Sequence, residues 1–231
     1  MPGTVVLSGG DEFSPRSQPL NEALLRLTGK PEPHVVIVPI AADNPGKVAR
    51  TGIYCLSALG AHVEWTMTDS ESVSDRASVP LTSIETAHAL FLPDGNPLSA
   101  ITGLTKTEAL AKIRRTWDRG AVLAASGAGA MALCDLFWDS GEWEQGLGLL
   151  KGIVILPHYE LMIGRFSAER LRRDLPDSYT ILALDTAMGV VIQAAQQECS
   201  VLGPDFVTVH RAGQTEEFSN GQGFSLTTPV G

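Results

Sequence analysis

A chain of 231 residues is long enough to close a sizeable α/β core, and its 44% hydrophobic, 19% charged composition is that of an ordinary globular protein. A formal net charge of −9 argues against a general nucleic-acid binder, which needs a concentrated Lys/Arg surface to neutralise phosphates. No apolar run reaches the ~20 residues that span a membrane, and no basic region followed by an apolar core opens the chain, so a cytoplasmic protein without a membrane partner is expected.

Along the chain, short apolar strands alternate with amphipathic helices. Thr4–Ser8 is a β-branched run ending at Gly9-Gly10, and Leu20–Leu27 has helical spacing and stops at Gly29. His34–Ile40 is continuously apolar, as for a strand covered on both faces. Asn44 caps a helix running to about Leu59, His62–Met67 follows as a strand, Ser83–Ala87 as a short helix and His88–Leu92 as the next strand. Thr105–Arg119 is a helix with Leu110, Ile113 and Trp117 on one face, and Gly120–Ala125 is a strand leading to the small-residue run Ser126-Gly-Ala-Gly-Ala130, with a helix from Ala128.

Later come a strand at Ile153–Leu156, a helix at Ser167–Leu175 and strands at Tyr179–Leu184, Gly189–Gln193 and Phe206–His210. The polar, Gly-rich Thr215–Gly223 reads as a loose tail. Arg165 to Arg173 reads as the solvated face of a helix. The alternation predicts one domain over residues 1–231, a doubly wound, mostly parallel sheet flanked by helices, with antiparallel strands near the C-terminus as a sheet extension.

Ligands of open parallel sheets bind beyond the C-terminal strand ends. The segments there are Gly9-Gly10-Asp11-Glu12, Ala41-Ala42-Asp43-Asn44, Asp94-Gly95-Asn96 and the small-residue turn after Gly120–Ala125. That turn has the form of a nucleophile elbow, a tight strand-to-helix turn that holds one side chain at a helix N-terminus. Either Ser126 or Gly127 is its tip. Placing Ser126 there would slip the strand by one residue and reverse the facing of Val122, Leu123 and Ala124, so Gly127 is favoured, with Ser126 beside it. Gly95 and Ala128 are candidate N–H donors to an oxyanion, with Gly10, Asp94 and Asn96 lining the same cleft.

His158 follows an apolar strand, where a general base is expected. Its candidate acidic partners are Asp139, Glu142, Glu144 and Asp185. His34, His62, His88 and His210 lie at strand ends without evident partners and receive no role. Cys55, Cys134 and Cys199 are odd in number and widely spaced, which reads as buried thiols rather than metal ligands. No metal or cofactor is expected.

Taken in order, these motifs resemble the cyanophycinase and aspartyl dipeptidase (dipeptidase E) group of serine peptidases, which have the class I glutamine-amidotransferase-like fold. Asp94-Gly95-Asn96 is similar to the family's Gly-Gly-Asn/Asp loop, His158-Tyr159 to its His-Phe/Tyr motif, and Ala183-Leu184-Asp185-Thr186 to its late Gly-Ile-Asp-Glu motif. Laid on Ala125-Ser126-Gly127-Ala128-Gly129-Ala130, the family's Gly-Thr-Ser-Ala-Gly-Ala elbow puts its serine on Gly127. The first glycine of the loop is Asp94 here, the late glutamate is Thr186, and the arginines after the family's histidine are displaced to Arg165 and Arg170.

The resemblance therefore implies a peptidase-like protein with a degenerate site that binds a peptide or small acidic ligand, with little or no serine-peptidase activity. Two alternatives stay open: a serine hydrolase using Ser126 and His158 on short or Asp-containing peptides, and a non-catalytic assembly or regulatory module. Nothing in the sequence excludes a homodimer.

Overall fold

The computed structural model describes residues 3–67, 79–162, 167–193 and 197–226. In chain order the elements are β1 (Val5–Ser8), α1 (Gln18–Leu27), β2 (His34–Ile37), α2 (Pro45–Ala58), β3 (His62–Trp65), β4 (Ala89–Leu92), α3 (Pro97–Thr105), α4 (Ala109–Asp118), β5 (Val122–Ser126) and α5 (Gly127–Leu133). There follow β6 (Leu136–Asp139), β7 (Glu142–Gln145), β8 (Ile153–Pro157), α6 (Tyr159–Met162), α7 (Ala168–Arg173), β9 (Thr180–Leu184), β10 (Gly189–Gln193), β11 (Glu198–Leu202), β12 (Phe206–Arg211), β13 (Gln214–Ser219) and β14 (Gly223–Ser225). Short 3-10 segments occupy Pro15–Ser17 and Leu81–Thr86.

The main sheet has the order β14-β11-β10-β1-β5-β4-β2-β3. Its β1, β5, β4, β2 and β3 are parallel, and β10, β11 and β14 extend it antiparallel beyond β1. This is the doubly wound, mostly parallel architecture with antiparallel additions. Strand alternation separates its two faces. Val6, Val35 and Ile37 pack against Leu20 and Leu24 of α1 and Leu56 of α2. Val5, Leu7, Val36 and Leu123 face the other way, onto Leu104, Ile113, Trp117 and Leu133 of α3 to α5.

The later strands depart from a simple extension. β8, β9, β12 and β13 form a separate four-stranded sheet, in which β8 and β9 are parallel and the rest antiparallel. Its Ile155, Leu182, Leu184, Val207 and Val209 join the same core as Leu7 and Leu123, so the two sheets meet face to face. Its opposite face packs on Leu171 and Leu175 around α7.

Several sequence expectations change. The stretch Thr105–Arg119 is not one helix: α3 ends at Thr105 and α4 starts at Ala109. Between them the Thr107 hydroxyl donates to Gly103 O (3.1 Å) and accepts the Ala109 N–H (3.2 Å), so a side chain competes with the helical ladder. Thr215–Gly223 is no loose tail. Most of it is β13, paired with β12 from Phe206↔Ser219 to Arg211↔Gln214, and Phe218 stacks near Phe224 at 4.7 Å. The Trp-rich segment folds into the β6–β7 hairpin, with Trp138 opposite Trp143. Of the basic cluster, Arg165 lies outside the described residues. Arg172 is buried and donates to the Leu175 and Asp177 carbonyls, so it closes the end of α7 rather than facing solvent. Cys134 and Cys199 are buried free thiols, whereas Cys55 is partly exposed. Among the described residues no helix is long and apolar enough to cross a membrane.

Candidate active site

The parallel strands β1, β4 and β5 deliver their loops to one edge of the main sheet, and β8 and β9 of the smaller sheet deliver theirs to the same place. β5 ends at Ser126, in register with Ser8 of β1. The chain then turns through Gly127, whose φ of +49° lies in the left-handed region that glycine enters without a Cβ penalty. Gly127 is thus the tip of the strand-to-helix turn. A methyl group built on it would lie 2.1 Å from Asp94 Cγ. The side-chain direction of the elbow points straight at a carboxylate.

Ser126 faces the opposite way. It is fully buried, and its hydroxyl donates to Glu12 Oε2 at 3.0 Å. Glu12 Oε1 in turn accepts the Asp94 N–H at 3.2 Å. Burial pushes the Glu12 carboxyl above its ordinary value, and the nearby Asp94 charge adds to that.

Asp94 is the hub. Its Oδ1 accepts the N–H of Ala128, at the start of α5, and its own neighbour Gly95 N–H, both at 2.7 Å. Its Oδ2 meets His158 Nε2 at 2.7 Å. Burial would raise the Asp94 carboxyl, but the His158 hydrogen bond and the two backbone donors outweigh it and hold the group below its ordinary value. The two N–H groups expected to receive an oxyanion are therefore already holding one, supplied by the chain itself.

His158 stands at the end of β8 with φ +49°, its N–H on Gly9 O at 2.9 Å. Gly10 leaves room for the ring: at φ +130°, a methyl group there would lie 2.0 Å from His158 Cε1. His158 Nδ1 lies 3.3 Å from Thr186 Oγ1, and the Thr186 hydroxyl donates in turn to Glu160 Oε1. Glu160 Oε2 accepts the Thr186 N–H at 2.9 Å. Both ring nitrogens face oxygen atoms, an arrangement that stabilises the imidazolium. The Asp94 hydrogen bond raises the His158 pKa despite partial burial, helped by the charges of Asp94, Glu160 and Glu12.

The acid beside His158 is therefore Asp94, expected from sequence only as a ligand-binding residue. Glu142 is exposed on β7, paired with Asp139 across the hairpin, and its position there is set by strand pairing. Asp185 follows β9 near the cleft, but burial and repulsion from Glu160 raise its carboxyl, and no hydrogen bond joins it to His158. Asn96 caps α3 by accepting the Ser99 N–H at 2.9 Å, a structural task. Arg170 lies on α7, where its N–H caps onto Ser167 Oγ.

Glu12, Glu160 and Thr186 were not among the expected site residues. Glu12 follows Gly9-Gly10-Asp11 at a strand end, and Glu160 lies two residues after His158, so position offered a signal that burial alone converts into a role. Beside Asp94 an open cleft of about 520 Å³ is lined by Asp11, Glu12, Asp43, Asn44, Lys47 and Gly95.

The histidines given no role also find partners. His34 Nε2 lies 2.9 Å from Glu64 Oε2, His62 Nε2 lies 3.7 Å from Glu64 Oε1, and His88 Nδ1 accepts the His34 N–H at 3.0 Å. Buried His210 Nδ1 sits 3.0 Å from Thr215 Oγ1.

The model of peptidase family S51 matches residues 4–197. Among solved structures, a peptidase from an acI-B1 Actinobacterium superposes with a TM-score of 0.81 at 18% identity, covering 97% of each chain. A Listeria monocytogenes EGD-e protein described as a peptidase E superposes with a TM-score of 0.59 at 17% identity, covering 91% of this chain and 99% of that one. At such identities the likeness is one of fold. No curated protein matches the sequence.

Proposed function

The chain belongs to peptidase family S51, and we propose that it is a member in which an internal carboxylate stands where the attacking serine would be, leaving a ligand-binding cleft with little or no serine-peptidase activity. The observation that carries this reading is Asp94 Oδ1 on the Ala128 and Gly95 N–H groups, directly over Gly127. Acyl transfer needs a nucleophile at the elbow and open donors for the tetrahedral oxyanion. Here the first is replaced by a hydrogen atom and the second are taken. Ser126 supports no hydrolase reading, being fully buried and held by Glu12. His158 Nε2 is taken up by Asp94 Oδ2 at 2.7 Å, so it is not free to accept a proton from an attacking water.

The ligand follows from the lining. Besides Asp94 and Glu12, which are already hydrogen-bonded within the chain, the cleft carries Asp11 and Asp43 against one lysine, Lys47. This favours a cationic group, such as the free α-amine of a short peptide, over the small acidic ligand that the resemblance implies. Three unpaired thiols fit a reducing, cytoplasmic setting.

The test is reciprocal exchange. A fluorophosphonate probe is expected to leave the native protein unlabelled and to label the Asp94→Gly, Gly127→Ser double variant. Because removing a triad serine costs about 10⁶-fold, the exchange should raise peptide hydrolysis by orders of magnitude. Labelling of the native protein that disappears in Ser126→Ala would overturn the proposal.

A further inference from the structure

The other end of the main sheet carries a second histidine–carboxylate cluster. His34 and His62 are the first residues of β2 and β3, which run parallel in the register His34↔His62. Glu64, two residues along β3, projects on the same face as His62. The register therefore gathers two imidazoles and a carboxylate at the open edge of the sheet, with β3 as the edge strand. One ligand atom from each residue can be chosen so that all lie within 4.8 Å of one another. Side-chain exposures of 17% for His34, 28% for Glu64 and 59% for His62 leave the cluster open to solvent on one side.

We propose that His34, His62 and Glu64 form a binding site for a divalent transition-metal ion of the zinc class. Two neutral imidazoles and one carboxylate are a recurrent three-ligand set for Zn²⁺, with water completing the tetrahedron. The ring of His34 is oriented for it. Its Nδ1 lies 3.4 Å from Thr86 O, and His88 accepts its backbone N–H. A proton on Nδ1, facing a carbonyl, leaves Nε2 as the ligand atom, the outer-shell arrangement that fixes metal-bound histidines. Nε2 lies 2.9 Å from Glu64 Oε2, a spacing that a shared proton spans in the metal-free protein and that a metal ion would take over. Ligand atoms of a tetrahedral zinc site stand roughly 3.3 Å apart, and the His34–Glu64 and His62–Glu64 spacings of 2.9 and 3.7 Å bracket that value.

The site lies at the strand starts, whereas Asp94 and His158 lie at the strand ends, so the ion would take no part in chemistry at the cleft. It would clamp the edge strand β3 to β2.

The experiment uses untagged full-length protein freed of metal by chelation, titrated with Co²⁺ as a spectroscopic probe and Zn²⁺ as competitor. The expected result is one equivalent of Co²⁺ giving visible d–d bands, displaced by Zn²⁺, with a Zn²⁺-dependent rise in melting temperature of roughly 5 °C at hundredfold excess over Kd. His62→Ala, at an exposed position, and Glu64→Gln should each weaken binding at least tenfold, while His158→Ala leaves it unchanged. Absence of the bands, or binding lost in His158→Ala and kept in His62→Ala, would overturn the site.

Discussion

Two histidine–carboxylate pairs of nearly equal length stand at opposite ends of one sheet, and their surroundings make them different objects. Asp94 and His158 are 2.7 Å apart, with two backbone N–H groups on Asp94 and the Thr186–Glu160 pair behind His158. His34 and Glu64 are 2.9 Å apart, and among the described residues only imidazole nitrogens approach the Glu64 carboxylate. At the strand ends the chain satisfies its own charges through the backbone. At the strand starts it leaves a carboxylate with capacity to spare. The difference teaches that a pair's distance says little about its chemistry, while the inventory of remaining donors says much.

The sharpest way to break the comparison is at the elbow. Gly127→Ala adds a methyl group 2.1 Å from Asp94 Cγ at a φ of +49°, and should cost about 2–3 kcal/mol. Thermal unfolding should show a fall of roughly 5–10 °C, part of which returns when Asp94→Gly is added. Unchanged melting would mean that Asp94 does not fill the serine's space.

Next comes the pairing itself. Because Asp94 raises the His158 pKa, the histidine's contribution to stability is complete below the ordinary imidazole range and fades as pH rises through the raised value. Asp94, held low, contributes above the ordinary carboxylate range and fades as pH falls through its lowered value. The pair therefore acts most strongly between the two. NMR titration of the ring should place His158 above its ordinary value in the native protein and lower in Asp94→Asn. An unmoved titration would show that the two are not coupled.

Ser126→Ala removes the hydroxyl donor to the buried Glu12 and should cost roughly 1–2 kcal/mol by chemical denaturation, with no effect on any hydrolysis. The smallest effect belongs to the opposite end. In metal-free protein His62→Ala should change stability by no more than about 0.5 kcal/mol. A larger loss would mean that this cluster, too, is internally committed.

Much of this was legible in the sequence. The continuous apolar runs gave the buried parallel strands, and the inside–outside alternation of Val122, Leu123 and Ala124 pointed to Gly127 as the turn. β13 was not legible, because a strand polar on both faces, as in Thr215-Glu216-Glu217, has the composition of a coil. Nor was the break at Lys106 to Glu108, where one threonine hydroxyl decides the outcome. In the site, Asp94 and Gly127 were each visible as departures from the family pattern. That the Asp94 carboxylate lies over Gly127 is a fact of space, between residues that follow different strands. The sequence offers Asp139, Glu142, Glu144 and Asp185 as the acid beside His158, while the β4 loop brings Asp94 from 64 positions away.

The carboxylate over Gly127 also acts as a ratchet in sequence space. A serine placed alone at 127 would meet the Asp94 side chain, and a glycine placed alone at 94 would leave the Ala128 N–H and His158 without their carboxylate partner. Each single substitution toward a serine elbow is expected to damage the protein, so residues 94 and 127 constrain each other.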